Sequence, residues 1–205
     1  MIPDLQKTLP LIAILRGLPP EAAREVGLHL YEAGFRLIEV PLNRPGALEA
    51  IVQLTRSLPE DAWIGAGTVL SAEAVAQVAD AGGKMVISPD SNPAVIAAAR
   101  ARKLWSLPGV ATPTEAFAAL RSGAHGLKAF PAEAIPPAVL KAWRAVIPPD
   151  IPIFPVGGIT PGNMAAYITA GASGFGLGGG LYTPGISIEA LKARATAYVQ
   201  AWQQA

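Results

Sequence analysis

The chain has 205 residues, of which 51% are hydrophobic and 15% charged, so a sizeable core is expected and disorder is disfavoured. Its net charge of +1 comes without a basic block, and cysteine is absent from the sequence; nucleic-acid binding, disulfides, thiolate catalysis and cysteine-ligated metals are therefore not expected. No apolar run approaches the roughly 18 residues of a membrane span, and residues 1–10 lack a leader pattern, so we expect a cytoplasmic protein with no membrane partner.

Eight short apolar runs alternate with helical patterns along the chain. The runs are typical of buried strands and lie at residues 11–15, 35–40, 62–66, 85–88, 104–107, 126–130, 153–156 and 174–177. Proline or a capping residue begins the helical patterns, and glycine ends many of them. Helices are therefore predicted at about 20–33, 45–57, 71–82, 92–102, 112–123, 136–146, 160–171 and 187–203.

These eight strand–helix units, with their short connections, define the predicted fold. Strands that alternate with helices form parallel sheets through right-handed crossovers. Eight units favour an α/β fold that closes into a (β/α)8 TIM barrel, with residues 1–205 as a single domain. An open doubly wound sheet is the alternative. It is disfavoured because no G-x-G-x-x-G motif follows the first strand and no second domain is visible.

Lys128 lies in the middle of the sixth apolar run, which ends at Pro131. A lysine amine is strongly hydrated and is rarely placed in a buried strand. Burial favours the neutral amine, which is a nucleophile. The alternative is that the side chain extends to the surface from the edge of the sheet. The residues in the other strands and at their ends help to distinguish these two interpretations.

Glu39 and Arg16 are polar exceptions in other strands or at their ends. Glu39, in the second strand, is either a buried salt-bridge partner or a catalytic base. The presence of Lys128 favours a catalytic role, because an amine that forms a Schiff base needs a nearby group to transfer protons. The second and sixth strands can both contribute to one interior layer of a barrel. Arg16 could bind a carboxylate through two hydrogen bonds or be an exposed loop residue.

Glycines follow the seventh and eighth strands. Gly157 and Gly158 come after the seventh, and Gly178, Gly179 and Gly180 come after the eighth. In barrels of this kind, phosphate often binds at these two loops, on backbone N–H groups and a short helix N-terminus. The alternative is that the glycines only form tight turns. The position in the fold favours phosphate.

Metal-dependent and serine-type catalysis have no support in the sequence. His29 and His125 are isolated, so no metal-ligand cluster is predicted. No Ser-His-Asp set or G-x-S-x-G motif is recognisable. We therefore expect no metal and no cofactor.

Six segments together resemble one family in order along the chain. They are ILRG at 14–17, IEVPLN at 38–43, GAGTV at 65–69, SP at 88–89, LKAFPAE at 127–133 and VGGITP at 156–161. The chain resembles the class I KDPG/KHG aldolases, which act on 2-keto-3-deoxy-6-phospho sugar acids. The resemblance covers essentially the whole chain.

The resemblance implies a role for each matching position. Lys128 would form a Schiff base with the C2 ketone, and Glu39 would be the general acid and base. Arg16 and Thr68 would hold the carboxylate end of the pyruvate moiety, with Pro89 lining that side. Phosphate would be bound by four glycines: Gly157, Gly158, Gly178 and Gly179. Relatives commonly have a serine-containing segment where this chain has Gly179 and Gly180, which would remove one phosphate hydrogen bond.

Two further details of the resemblance concern the substrate. Residues 41–43 are Pro-Leu-Asn where the gluconate branch typically has Leu-Arg-Thr, and Val156 replaces a threonine that is frequent in that branch. These details imply cleavage of 2-dehydro-3-deoxy-6-phosphogalactonate to pyruvate and glyceraldehyde 3-phosphate. The gluconate epimer, or both epimers, is the nearest alternative. A phosphate-binding barrel isomerase or epimerase and a non-catalytic sugar-phosphate binder are more remote. The resemblance also implies a homotrimer.

Overall fold

The computed structural model describes residues 3–205; Met1 and Ile2, which the sequence analysis included in the domain, lie outside the described residues. Nine short strands occur in this range: β1 (Leu11–Ile14), β2 (Leu37–Pro41), β3 (Trp63–Gly67), β4 (Met85–Ile87), β5 (Trp105–Leu107), β6 (Gly109–Val110), β7 (Leu127–Ala129), β8 (Ile153–Pro155) and β9 (Phe175–Leu177). Eight α-helices alternate with them in the same range: α1 (Pro20–Glu32), α2 (Ala47–Ser57), α3 (Ala72–Asp80), α4 (Pro93–Ala101), α5 (Pro113–Arg121), α6 (Pro137–Arg144), α7 (Met164–Thr169) and α8 (Ile188–Gln203).

The strands pair into two parallel sheets, so the prediction of a closed (β/α)8 TIM barrel is wrong. One sheet has six strands in the order β5-β4-β3-β2-β1-β9, and the other has three in the order β6-β7-β8. The six-stranded sheet forms a curled half-barrel. Between β8 and β9 there is only an isolated bridge that joins Val156 to Gly176. A continuous eight-stranded ladder is not formed by the described residues.

Two prolines explain where the hydrogen-bonded ladder is interrupted. Pro108 separates β5 from β6, which lies just beyond the fifth predicted strand (104–107), because proline has no N–H to donate to a neighbouring strand. Pro155 acts in the same way on the side of β8 that faces β9. On that side Ile153 accepts a hydrogen bond from the N–H of Ser173, but Pro155, two residues further along, has no N–H to donate.

The predicted element positions otherwise agree closely with the structure. All eight apolar runs contain strands, and the end of each helix lies close to its predicted residue. The start of α7 is the main difference, at Met164 rather than at residue 160. The side chain of Asn163 explains it by stabilising a turn before the helix: it accepts from the N–H of Thr160 at 3.0 Å and donates to the carbonyl oxygen of Gly158 at 2.9 Å.

Side chains from both sheets meet in one small apolar cluster. It combines residues of β1, β2, β4, β5 and β8: Ile12, Leu37, Met85, Ile87, Trp105, Leu107 and Phe154. The rings of Trp105 and Phe154 meet edge to face, with centroids 5.7 Å apart. A larger core lies between the strands and the helices. Strands buried on both faces are expected when helices cover a parallel sheet.

Two classes of feature are absent from the described part of the chain. None of the helices between residues 3 and 205 combines the length and the apolar character that a membrane crossing would need. In the same range, no three His, Asp or Glu side chains are grouped so that they could hold a metal ion.

Candidate active site

Lys128 occupies the central position of β7, where it pairs with Gly109 on one side and Phe154 on the other. Only 7% of the residue is exposed, so its side chain does not extend to the surface. The Nζ atom lies 4.7 Å from the centroid of the Phe130 ring, two residues along the strand on the same face. Burial lowers the pKa of the Lys128 amine, the Glu39 carboxylate opposes that effect, and the charge of Arg16 adds to it.

Glu39 occupies the centre of β2 and is 1% exposed. It pairs with Gly65 of β3, but its carboxylate leans towards Gly67, two residues nearer the C-terminal end of that strand. A Cβ at position 67 would overlap the carboxylate, so the space that Glu39 occupies exists because residue 67 is glycine. Among the described residues, the Glu39 Oε2 atom has no hydrogen-bond partner. A buried polar atom without a partner is rare in folded proteins and often marks a functional group.

Burial raises the pKa of the Glu39 carboxyl to about 7, and the positive charges of Lys128 and Arg16 moderate that rise. Near neutral pH the group therefore exists in both protonation states. A carboxyl poised in this way can both donate and accept a proton at the pH where most enzymes work. The charge of each group shifts the pKa of the other, so Glu39 and Lys128, one from each sheet, interact electrostatically.

A cavity of about 510 Å³ opens at the C-terminal ends of β1, β8 and β9. Its volume lies within the range of small-molecule sites. It brings together five of the predicted binding residues: Arg16, Gly157, Gly158, Gly178 and Gly179. Arg16 is exposed at the end of β1 and borders this cavity. These five residues, which follow three different strands, therefore lie together at one end of the strands.

The two pairs of glycines differ in their surroundings. Gly157 and Gly158 have φ angles of +109° and +61°, which favour glycine. A Cβ at Gly178 or Gly179 would instead meet no atom within 4 Å. The segment that begins at Gly178 forms a turn, in which the N–H of Tyr182 bonds to the Gly178 carbonyl oxygen. Glycine is needed at 157 and 158 because of the backbone conformation there, whereas a side chain at 178 or 179 would enter open space.

Pro89 and Thr68 lie apart from the larger cavity. Pro89 lines a smaller cavity of about 200 Å³ together with Gly109 and Phe130. Thr68 follows β3 with a φ of +54°, which is uncommon for threonine, and lines neither of these two cavities. A residue held in this region is a strained position of the kind often found near active sites.

Phe130 is a site residue whose position the sequence analysis did not single out. Its ring borders both cavities and lies against the Lys128 amine. The signal was present in the sequence, because residues two apart on a strand share a face. Thr160 and Thr183 also line the larger cavity and offer hydroxyl groups. They follow the strands in loops, where no periodic pattern marks which side chains face a cavity.

Comparison with known proteins identifies the family. The sequence profile described as "Aldolase: KDPG and KHG aldolase" matches residues 2–197, and the chain belongs to this family. The 2-dehydro-3-deoxy-6-phosphogalactonate aldolase of Escherichia coli (strain K12) is 45% identical over 201 residues, which are 98% of each protein. The protein is accordingly an aldolase, a carbon–carbon lyase.

Two solved structures extend the comparison. One, described as the native KDPGal structure, superposes with a TM-score of 0.94 at 43% identity and covers 97% of both chains. The other is KDPG aldolase from Legionella pneumophila, with pyruvate captured at low pH as a covalent carbinolamine intermediate. It superposes with a TM-score of 0.81 at 27% identity, over 98% of this chain and 95% of that one.

Proposed function

We propose that this aldolase cleaves 2-dehydro-3-deoxy-6-phosphogalactonate to pyruvate and D-glyceraldehyde 3-phosphate through a Schiff base on Lys128. The observation that carries the proposal is the buried amine of Lys128 beside Phe130, which lines a cavity together with two glycine loops, and the buried carboxyl of Glu39, whose charge acts on that amine. The carbinolamine trapped in the Legionella relative supports the same class of chemistry.

In the proposed reaction, the neutral amine of Lys128 attacks the C2 ketone and forms a carbinolamine. Loss of water gives a protonated imine, which withdraws electrons as the C3–C4 bond breaks. The C4 hydroxyl loses its proton and becomes the aldehyde of glyceraldehyde 3-phosphate. Glu39 moves protons in these steps, for which its raised pKa suits it. The remaining enamine is protonated at C3, and water then releases pyruvate from Lys128.

The other predicted residues would bind the two ends of the substrate. The N–H groups of the two glycine loops would hold the phosphate, because glycine lets the backbone come close to an anion. We assign the carboxylate end to Arg16 and Thr68, with Pro89 beside them. Arg16 shares its cavity with the glycines, so its charge would also favour the phosphate end.

Borohydride trapping tests the Schiff base. Reduction in the presence of pyruvate should add one pyruvate-derived mass to Lys128, located by peptide mass spectrometry. Lys128→Met should give no adduct. Lys84→Met is the control, since the Lys84 amine is bonded to the carbonyl oxygens of Glu60 and Ala62 and lies outside both site cavities. An adduct that persists in Lys128→Met would refute the proposed nucleophile.

Glu39→Gln tests the proton-transfer role. General acid–base catalysis typically contributes a factor on the order of 10²–10⁴ in rate, so Glu39→Gln should lower kcat by a factor of about 10²–10⁴. An unreduced kcat would remove Glu39 from proton transfer even if trapping at Lys128 succeeds. The two experiments therefore address the two residues separately.

The galactonate epimer is proposed because the similarity to the named 6-phosphogalactonate aldolase is higher than to the KDPG aldolase structure. The segment at residues 41–43 and Val156 favour the same branch. The kcat/KM values for the two C4 epimers should differ in favour of the galactonate. Equal values would indicate an enzyme for both epimers, and a preference for the gluconate would overturn this assignment.

We also propose that the protein is a homotrimer in the cytoplasm, as the family resemblance implies. Phosphorylated sugar acids carry charges that do not cross membranes unaided, which supports an intracellular site of action. Light scattering of the purified protein would measure the assembly, and cell fractionation would measure the location. A monomer, or an extracellular protein, would contradict the respective part.

A further inference from the structure

Tyr198, on α8, contacts both loops that line the larger cavity. Its hydroxyl donates to the carbonyl oxygen of Ile159 at 2.9 Å, and the residue is 2% exposed. The same hydroxyl lies against Gly180, where an added Cβ would overlap it. Ile159 belongs to the loop after β8 and Gly180 to the loop after β9, and both residues line the cavity. One phenol therefore joins the two loops from the helix side.

The loop after β8 is also held by a second residue. The peptide group between Ile159 and Thr160 is bound at both ends: Tyr198 donates to its carbonyl oxygen, and Asn163 accepts from its N–H. Asn163 also donates to the carbonyl oxygen of Gly158. In a trans peptide the N–H points away from the carbonyl. The Gly158 carbonyl and the Ile159 N–H belong to one peptide group. Because Asn163 binds the carbonyl, the Ile159 N–H points away from Asn163.

A further side chain of α8 reaches the other loop. Arg194, one turn before Tyr198 and therefore on the same helix face, donates to the carbonyl oxygen of Gly179 at 3.4 Å. Through these two side chains, α8 contacts the loop after β8 and the loop after β9. The distance between the two loops thus depends on the position of α8 against them.

We propose that Tyr198 is a positioning residue for the phosphate of the substrate, acting by fixing the two glycine loops relative to each other. This proposal rests on the proposed function, which assigns those loops to phosphate. Tyr198 itself touches no reacting atom. Without its hydroxyl, the Ile159 carbonyl loses its partner and the loops are no longer joined at that point. Affinity for the phosphate end should fall, while the chemistry at Lys128 is unaffected.

The test uses Tyr198→Phe and inorganic phosphate as a competitive inhibitor of aldol cleavage. Loss of one neutral hydrogen bond that holds a binding loop should raise the Ki for phosphate about 3- to 10-fold. The KM of the phosphorylated substrate should rise by a similar factor. The rate of borohydride trapping of pyruvate, which has no phosphate, should stay at the wild-type value. This split between KM and trapping also shows that the variant is folded.

Tyr167→Phe is the matched control. Tyr167 is buried on α7, and its hydroxyl also donates to a backbone carbonyl at 2.9 Å. That carbonyl belongs to Ala132, which does not line the larger cavity. The control loses the same kind of hydrogen bond, so it reports any general loss of stability. Its Ki for phosphate should equal that of the wild type.

A second variant tests the contact between Tyr198 and Gly180 independently. Gly180→Ala places a Cβ into the Tyr198 hydroxyl, whereas the ring carbon Cζ lies 3.5 Å from that Cβ, an ordinary contact. Gly180→Ala alone should therefore raise the Ki for phosphate. The same substitution on a Tyr198→Phe background should add little further increase, because the overlapping atom is gone.

Each outcome bears on one statement. A raised Ki in Tyr198→Phe with normal trapping, together with the non-additive double variant, supports the positioning role. An unchanged Ki in Tyr198→Phe, or equal increases in Tyr198→Phe and Tyr167→Phe, overturns it. A wild-type enzyme that phosphate does not inhibit would overturn the phosphate assignment in the proposed function itself.

Discussion

Replacing Glu39 with glutamine should stabilise the folded protein, compared with the wild type, by more at pH 8 than at pH 5. Burial raises the pKa of this carboxyl from 4.5 to about 7, so ionisation opposes folding. Below about 4.5, both the folded and unfolded states hold the proton, and no penalty exists. As the pH rises from 4.5 towards 7, only the unfolded state loses the proton, and the wild type loses stability. Above about 7 the penalty is complete.

The size of the effect follows from that difference in pKa. A shift of one unit corresponds to about 1.4 kcal/mol, so the full penalty is roughly 3 kcal/mol. Part of it is already present at pH 5, which leaves a change of about 2–3 kcal/mol between pH 5 and pH 8. Glutamine has no such penalty.

Urea unfolding of both proteins at pH 5 and pH 8, at one protein concentration, measures the effect. The free energy of unfolding of Glu39→Gln, minus that of the wild type, should rise by about 2–3 kcal/mol between the two pH values. Glu25→Gln, which changes an exposed carboxylate on α1, is the control. Its free energy of unfolding should differ from that of the wild type by the same amount at pH 5 and at pH 8. A pH-independent difference for Glu39→Gln would refute the claim that the buried carboxyl ionises at a cost.

Three further substitutions test other parts of the structure. Gly67→Ala would drive a Cβ into the Glu39 carboxylate, so kcat should fall at least about 10-fold while the KM changes less; an unaltered kcat would contradict the tight fit. Gly179→Ser enters open space and offers a hydroxyl, so the KM of the phosphorylated substrate should fall about 5-fold or more, and an unchanged KM would place the phosphate elsewhere. Phe154→Ala removes a fully buried ring beside Trp105 and should lower the free energy of unfolding by about 3–5 kcal/mol in a urea titration. A loss below about 1 kcal/mol would contradict the tight packing of this ring.

The order and type of the elements could be predicted because local signals agree with the fold. Apolar runs mark the strands, and proline and glycine mark the helix ends. Closure of the sheet could not be predicted in this way. It depends on whether each strand offers an N–H to its neighbour, and Pro108 and Pro155 break that sequence of donors. Counting strand–helix units therefore led to a closed barrel that the hydrogen bonds do not form.

The candidate site was predictable where a polar residue interrupts a buried strand. Lys128 and Glu39 stand out for that reason, and the structure places both in the interior. Contacts between distant segments give no such local signal. The fit of Gly67 to Glu39 and the bond from Tyr198 to the loop after β8 join residues far apart in sequence, so only the fold reveals them.

The position of Phe130 between two cavities has a consequence for the range of substrates. Its ring is a common wall of the larger cavity, of about 510 Å³, and the smaller one, of about 200 Å³. A smaller side chain at this position would enlarge the space beside the Lys128 amine, between residues that line the two cavities. The enlarged chamber would accommodate 2-keto acids with a longer or branched substituent, which makes residue 130 the natural first choice for redesigning the donor half of the reaction.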